Sequence, residues 1–271
     1  LAQDWRTEGN CVKRTYRTYR AALLFGFLLF ASFPLFAQDE KSQSNQAPQT
    51  TGQKTSVLLR LAVQCSKDIS AVSDCRSFTT NEKQEYIILK DNAPHKPQAY
   101  LLIPVDPIAG VEDEKIFSPP FVDLWSSAWL WSEKYPGRTS AVTGLAMNSA
   151  LARTQNQLHI HISCVLPDVT RALWKKRISS DPNNATSVKL GPNHTTYRVV
   201  AVPTLDGANS PFTIARTIAQ STKTEMREQG IAVVRGKKNN GFYVLDTAEN
   251  RGGAEELLDQ TCASAVTIQV D

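Results

Sequence analysis

Residues 155–164 read Gln-Asn-Gln-Leu-His-Ile-His-Ile-Ser-Cys, with polar and branched apolar side chains alternating one for one. A period of two is that of a strand with one buried face, and it predicts a strand over 157–165. Leu158, Ile160, Ile162 and Cys164 then enter a core, and Gln157, His159, His161 and Ser163 share the opposite side. The chain has four histidines, and two of them stand on this one face. Imidazole is the side chain that changes charge closest to neutral pH. An adjacent pair therefore points to nucleophilic attack, proton transfer or metal ligation. The competing reading is an incidental pair on a solvated face, and the polar residues around it weigh against that.

Charge is concentrated at the start of the chain. Residues 1–37 carry five of the 30 Lys/Arg and two of the 26 Asp/Glu, which leaves the remainder close to neutral. That balance lacks the basic footprint of a nucleic-acid binder, and no protein partner is called for. Arg14, Arg17 and Arg20 precede an uncharged apolar run from Ala21 to Ala37, and a tract rich in Gln and Ser follows. Basic, apolar, then polar is the order of a secretory signal or membrane anchor, with the N-terminus on the cytoplasmic side. The expected organisation is 1–37 as signal or anchor, 38–55 as a flexible tether, and 56–271 as a catalytic domain. The domain that follows is expected to be exported from the cytoplasm.

A start at Val12 would drop Cys11 and leave Cys65, Cys75, Cys164 and Cys262. An even set in an exported domain permits two disulfides in three pairings. The favoured pairing is Cys65 with Cys75 as a local loop, and Cys164 with Cys262 as a tie to the C-terminal region.

Helical spacing of Val57, Leu58, Leu61, Ala62 and Cys65 predicts an amphipathic helix over 56–69. Runs 85–90 and 99–104 predict neighbouring antiparallel strands. A tryptophan-rich helix is expected over 123–135, capped by Asp123 and stopped by Pro136-Gly137. Such a stripe is more often core, although it offers a surface for lipid. Further strands are expected at 141–147 and 197–202, a basic helix at 167–176, and a helix from Ser210-Pro211 to Gly230. A hairpin of 231–234 and 242–245 closes the pattern. Helices mixed with mostly antiparallel strands give an α+β class.

The segment from Asn148 to Cys164, with its Thr-Gln-Asn-X-X-His-Ile-His-Ile-Ser-Cys core, resembles the active-site segment of the bacterial CDP-diacylglycerol pyrophosphatases. These belong to the histidine-triad superfamily. The resemblance extends to Tyr-Leu-Leu-Ile-Pro at 100–104, the tryptophan-rich helix, Pro167-Asp168-Val169 and Ser210-Pro211-Phe212, and so covers most of the chain from about residue 57. It implies a histidine-triad-like fold with His159 as nucleophile and His161 as the third triad position. The first position is Gln157, a departure, because an amide does not titrate near neutrality. The implied reaction splits CDP-diacylglycerol into CMP and phosphatidate through a nucleotidyl-histidine, with no cofactor and no metal. Thr154, Gln157 and His161 would hold phosphate oxygens, Asn148 the ribose or a phosphate, and Arg153 and Gln155 would complete the substrate loop.

Two rivals remain. A two-histidine phosphodiesterase would pair His161-Ile-Ser163 with His194-Thr-Thr196. An exported metal-binding module would use His159 and His161 as ligands and needs a third.

Overall fold

The computed structural model describes residues 56–80, 85–134, 142–237 and 240–264. The apolar run, the tether, the Pro136-Gly137 stop and the alternative start lie outside them. The β-branched runs of the described chain form strands β1 (Cys75–Thr79), β2 (Glu85–Lys90), β3 (Tyr100–Pro104), β4 (Thr143–Met147) and β5 (Ile160–Val165). They are followed by β6 (Thr186–Leu190), β7 (Thr195–Val202), β8 (Gly230–Arg235), β9 (Phe242–Thr247) and the short β10 (Leu258–Asp259). Every pairing is antiparallel. The sheet order is β1-β2-β3-β5-β4-β8-β9-β7-β6, with β10 extending the β3 side of β5. The class is α+β, as the sequence pattern predicts.

Helices cover both faces. On one face α2 (Leu124–Lys134) and α4 (Pro211–Thr222) bury Trp125, Trp129, Phe212 and Ile218 against Leu102, Leu145, Ile160, Ile162 and Val233. Trp125 and Trp129 are therefore core rather than a lipid surface. Full burial of such a side chain contributes a few kcal/mol. On the other face α1 (Val57–Lys67) packs Ala62 and Cys65 on Ile87, Leu89, Leu101 and Ile103. Farther along that face α3 (Pro167–Trp174) packs Val169 and Leu173 on Val188 and Tyr197. Directly paired residues share a face, and His161 lies opposite Leu101 on β3 and Ala146 on β4. The sheet thus places His161 in the seam between the two apolar clusters under α1 and α3.

Two boundaries differ from the sequence pattern by three residues or more. Strand β5 begins at Ile160 rather than at 157, because the preceding residues bond elsewhere. Leu158 donates its N–H to the Ile108 carbonyl at 2.7 Å, and the Gln157 amide donates to the carbonyls of Pro104 and Asp106 at 3.0 and 2.9 Å. The polar side of β5 is also buried, with Gln157, His161 and Ser163 at 1%, 5% and 0% exposure. Helix α4 stops at Thr222, well before Gly230, where Lys223 turns left-handed at φ 56°. Gly230 instead opens β8, and a Cβ there would come 2.1 Å from the Gly252 carbonyl oxygen. It permits a close approach and does not cap a helix. The edge strands β1 and β6 escaped the reading because both are short and half polar.

Both predicted disulfides are present. Cys65 is bonded to Cys75 and Cys164 to Cys262, with Cα atoms 6.4 and 5.2 Å apart.

Asp246 on β9 is fully buried, and neither carboxylate oxygen has a hydrogen-bond partner. Burial outweighs the Arg198 charge and raises its pKa well above the usual carboxylate range. Above the unfolded-state pKa the unfolded chain releases a proton that the folded chain retains. Stability from this group is thus complete in acid and falls as pH rises toward the folded pKa, by about 1.4 kcal/mol per pH unit. Asp246→Asn should flatten that slope and raise the melting temperature at neutral pH. Parallel pH–melting curves for the two proteins would contradict this.

Candidate active site

His159 sits where the chain enters β5 and is 9% exposed. Its Nδ1 lies 2.7 Å from the carbonyl oxygen of Gln157. A carbonyl only accepts, so Nδ1 carries the proton and Nε2 holds the free lone pair. Burial holds this imidazole below its ordinary pKa. It outweighs the Gln157 carbonyl and the Glu255 charge, while Arg153 and Lys96 add to the depression. The ring is therefore neutral at physiological pH. The His161 ring stands 5.0 Å away at 69°. Its burial outweighs the Glu255 charge and pushes its pKa down to about 3.

The Gly-Gly turn before Ala254 and the pairing of β10 with β5 bring Glu255 over this seam. Its Oε2 lies 3.4 Å from His161 Nε2 and accepts from Asn148 Nδ2 at 3.1 Å. Its Oε1 accepts from Lys96 and, at 2.9 Å, from Gln260 Nε2. Burial alone would raise this carboxyl, but His161, Lys96 and Asn148 outweigh it and hold it below the usual carboxylate range. His161 is neutral over the same range, so Lys96 is the cation that does this at neutral pH. Sequence reasoning missed Glu255 and Lys96. They lie far from the motif in sequence, in turns without periodicity, and no local signal marks them.

The expected substrate residues divide into three groups. Gln157 is next to the histidines, but both of its amide hydrogens are taken by the Pro104 and Asp106 carbonyls. It fastens the 104–108 segment to the motif. Asn148 gives its amide nitrogen to the Glu255 carboxylate and its oxygen to the Glu255 N–H at 3.0 Å. Arg153 forms a two-pronged ion pair with Glu112, one arm at 2.7 Å, and its side chain is nearly buried. Thr154 and Gln155 lie farther out, on a cleft of about 880 Å³ between the motif loop, the start of α1 and the 107–109 segment. Gln155 accepts there from Ser56 Oγ at 3.2 Å.

The same loop is held from behind. Ser149 donates its backbone N–H to Gly252 O at 3.0 Å and its hydroxyl to Arg251 O. Asn250 and Arg251 both take left-handed φ, 48° and 57°, to present those carbonyls.

The rivals lose their geometry. His194 lies in the β6–β7 turn at the far edge of the sheet, beyond β4, β8, β9 and β7 from His161. At nearly 5 Å per strand it does not face His161 across one site. Among the described residues, no three His, Cys, Asp or Glu side chains group as metal ligands would, and four cysteines are in disulfides.

A buried pair of neutral imidazoles backed by a tethered carboxylate, on an antiparallel α+β scaffold, can supply a nucleophile and a proton acceptor to one substrate. The family model described as CDP-diacylglycerol pyrophosphatase matches residues 55–266, and the chain belongs to that family of hydrolases. A CDP-diacylglycerol pyrophosphatase of Yersinia pestis is 29% identical over 218 residues, covering 74% of this chain and 81% of that protein. Among solved structures, a yeast Ap4A phosphorylase in complex with Ap4A aligns at a TM-score of 0.39 and 11% identity. It covers 70% of this chain and 79% of its own, a likeness too distant to support an argument.

Proposed function

We propose that the chain hydrolyses the pyrophosphate bond of CDP-diacylglycerol to CMP and phosphatidate through a nucleotidyl-histidine on His159, within a histidine-triad-like fold. The observation that carries this is the fixed tautomer of His159, with Nδ1–H on the Gln157 carbonyl and Nε2 free. The pyrophosphate phosphorus is shielded by anionic oxygens, and a neutral nucleophile approaches it without charge repulsion. Nε2 attacks the phosphorus bearing cytidine, the bond to the lipid phosphate breaks, and phosphatidate departs with the electron pair. Water then attacks the nucleotidyl-histidine, releasing CMP and restoring the ring. Splitting the reaction this way replaces one hard displacement by two easier ones.

In this reading Gln157 positions the 104–108 segment instead of donating to phosphate. Thr154 and Gln155 meet substrate on the cleft side, and Arg153 braces the motif loop through its ion pair with Glu112. The 1–37 segment would deliver the domain to the periplasmic face of the membrane, where the lipid substrate resides. Among the described residues no helix is long and apolar enough to cross a membrane.

Heavy-oxygen water tests the reading. The label is expected in CMP, with phosphatidate unlabelled, because water enters only after phosphatidate has left. An alkaline quench at early times should show a CMP-sized mass increment on the peptide containing His159. Label mainly in phosphatidate would exclude the intermediate.

A further inference from the structure

Glu255 is the most heavily tethered charged group beside the histidines, and the steps above give it no task. It takes hydrogen bonds or ion pairs from Lys96, Gln260 and Asn148, and Asn148 also grips its backbone N–H. Holding one side chain from so many segments fixes it in a single geometry, at an entropic cost. What that geometry faces is His161 Nε2, at 3.4 Å. No hydrogen bond joins the two, but a carboxylate only accepts and so favours the proton on the His161 nitrogen turned toward it. Its lone pair is then on Nδ1. The two neighbouring rings thus favour opposite tautomers, His159 held with a free Nε2 by its carbonyl and His161 biased to a free Nδ1 by the adjacent carboxylate. His161 Nδ1, like Nε2, is buried and has no hydrogen-bond partner in the protein. Leaving such an acceptor unpaired costs about 1–3 kcal/mol, a cost that a water drawn in with the substrate would offset.

We propose that Glu255 is the positioning residue of the second half-reaction, orienting His161 so that Nδ1 takes the proton of the water that attacks the nucleotidyl-histidine. This rests on the nucleotidyl-histidine reading and adds the group that activates its water. The water oxygen bonds to phosphorus while the bond from phosphorus to His159 Nε2 breaks, its electron pair returning to the ring. The water proton passes to His161 Nδ1. The resulting imidazolium holds its Nε2–H against the Glu255 carboxylate until the proton leaves to solvent with CMP. Burial keeps His161 neutral in the resting site, and the imidazolium is opposed there unless negative charge surrounds it. Glu255 supplies one such charge, kept ionised by Lys96, and the phosphate of the intermediate supplies a second.

Glu255→Gln separates the half-reactions. The variant should release about one phosphatidate per enzyme at close to the wild-type rate. CMP release should then slow about 10²–10³-fold, the range typical of lost acid–base assistance. The adduct on His159 should accumulate to nearly one per enzyme. Glu255→Asp should recover part of the second rate. Lys96→Met, which leaves the carboxylate in place, should slow the same half-reaction by a smaller factor and serves if Glu255→Gln does not fold. Equal loss in both half-reactions, or unchanged CMP release, would overturn the proposal while leaving the nucleophile intact. Absence of adduct from wild type and variant alike, with label in phosphatidate, would overturn both.

Discussion

His159→Ala should lower turnover of CDP-diacylglycerol by about 10⁴-fold or more, the scale seen when a covalent nucleophile is removed. The folded state should survive. The ring contributes one hydrogen bond to the Gln157 carbonyl, and losing it costs about 1 kcal/mol. The strand that His159 leads into is meanwhile held by β3, β4 and β10. Steady-state rates and a thermal melt, measured on the same preparation, check both halves of this expectation. Retention of more than a few per cent of wild-type turnover would remove His159 from the role of nucleophile. His161→Ala should behave differently, because His161 does not form the bond to phosphorus. It should still accept a nucleotidyl group on His159 and be slow to release it. No adduct should form on His159→Ala under any quench.

Much of the fold was legible because local pattern and tertiary environment agree. Val57 to Cys65 repeats at helical spacing, and α1 forms there. The 85–90 and 100–104 runs are strands that pair, as do 230–235 and 242–247. The readings failed where distant contacts override the local signal. The alternation through Gln157 and Leu158 is that of a strand, yet backbone and amide hydrogens there are claimed by Ile108, Pro104 and Asp106. Gly230 looks like a helix stop, but what requires glycine is the Gly252 carbonyl from another turn.

The site divides in the same way. His159 and His161 announce themselves by type and spacing on one strand. Asn148 was legible as part of the motif loop, but its grip on Glu255 was not. That contact depends on how the chain end folds back along β5, a matter of sheet topology with no periodic trace in sequence.

The Cys164–Cys262 bridge bears on stability and chemistry together. It closes a separation of 98 residues, and the chain-entropy relation assigns such a loop about 4–5 kcal/mol, against about 2–3 for the ten-residue separation of Cys65–Cys75. Replacing Cys164 by Ala together with Cys262 by Ser should therefore shift the urea midpoint strongly downward, with a steeper denaturant slope as the unfolded chain expands. Loss of less than about 1 kcal/mol would show that the native state does not depend on this tie. Reductant added to the double variant should have the smaller effect expected of the remaining bridge. The functional consequence follows from position. β10 lies between Glu255 and Cys262 and pairs Leu258 and Asp259 with Val165 and Cys164. Ser163 Oγ adds a hydrogen bond to the Asp259 carbonyl at 2.9 Å. With the covalent tie gone, the segment that carries Glu255 over His161 keeps its non-covalent holds: the two ladder positions, that hydroxyl, the Leu166 N–H on the Leu257 carbonyl, the Gln98 N–H on the Gln260 carbonyl, and the bonds of Glu255 to Asn148 and Lys96. At temperatures where the double variant is still folded, CMP release should slow more than phosphatidate release. That asymmetry is the signature of a loosened carboxylate, whereas general unfolding would lower both rates together.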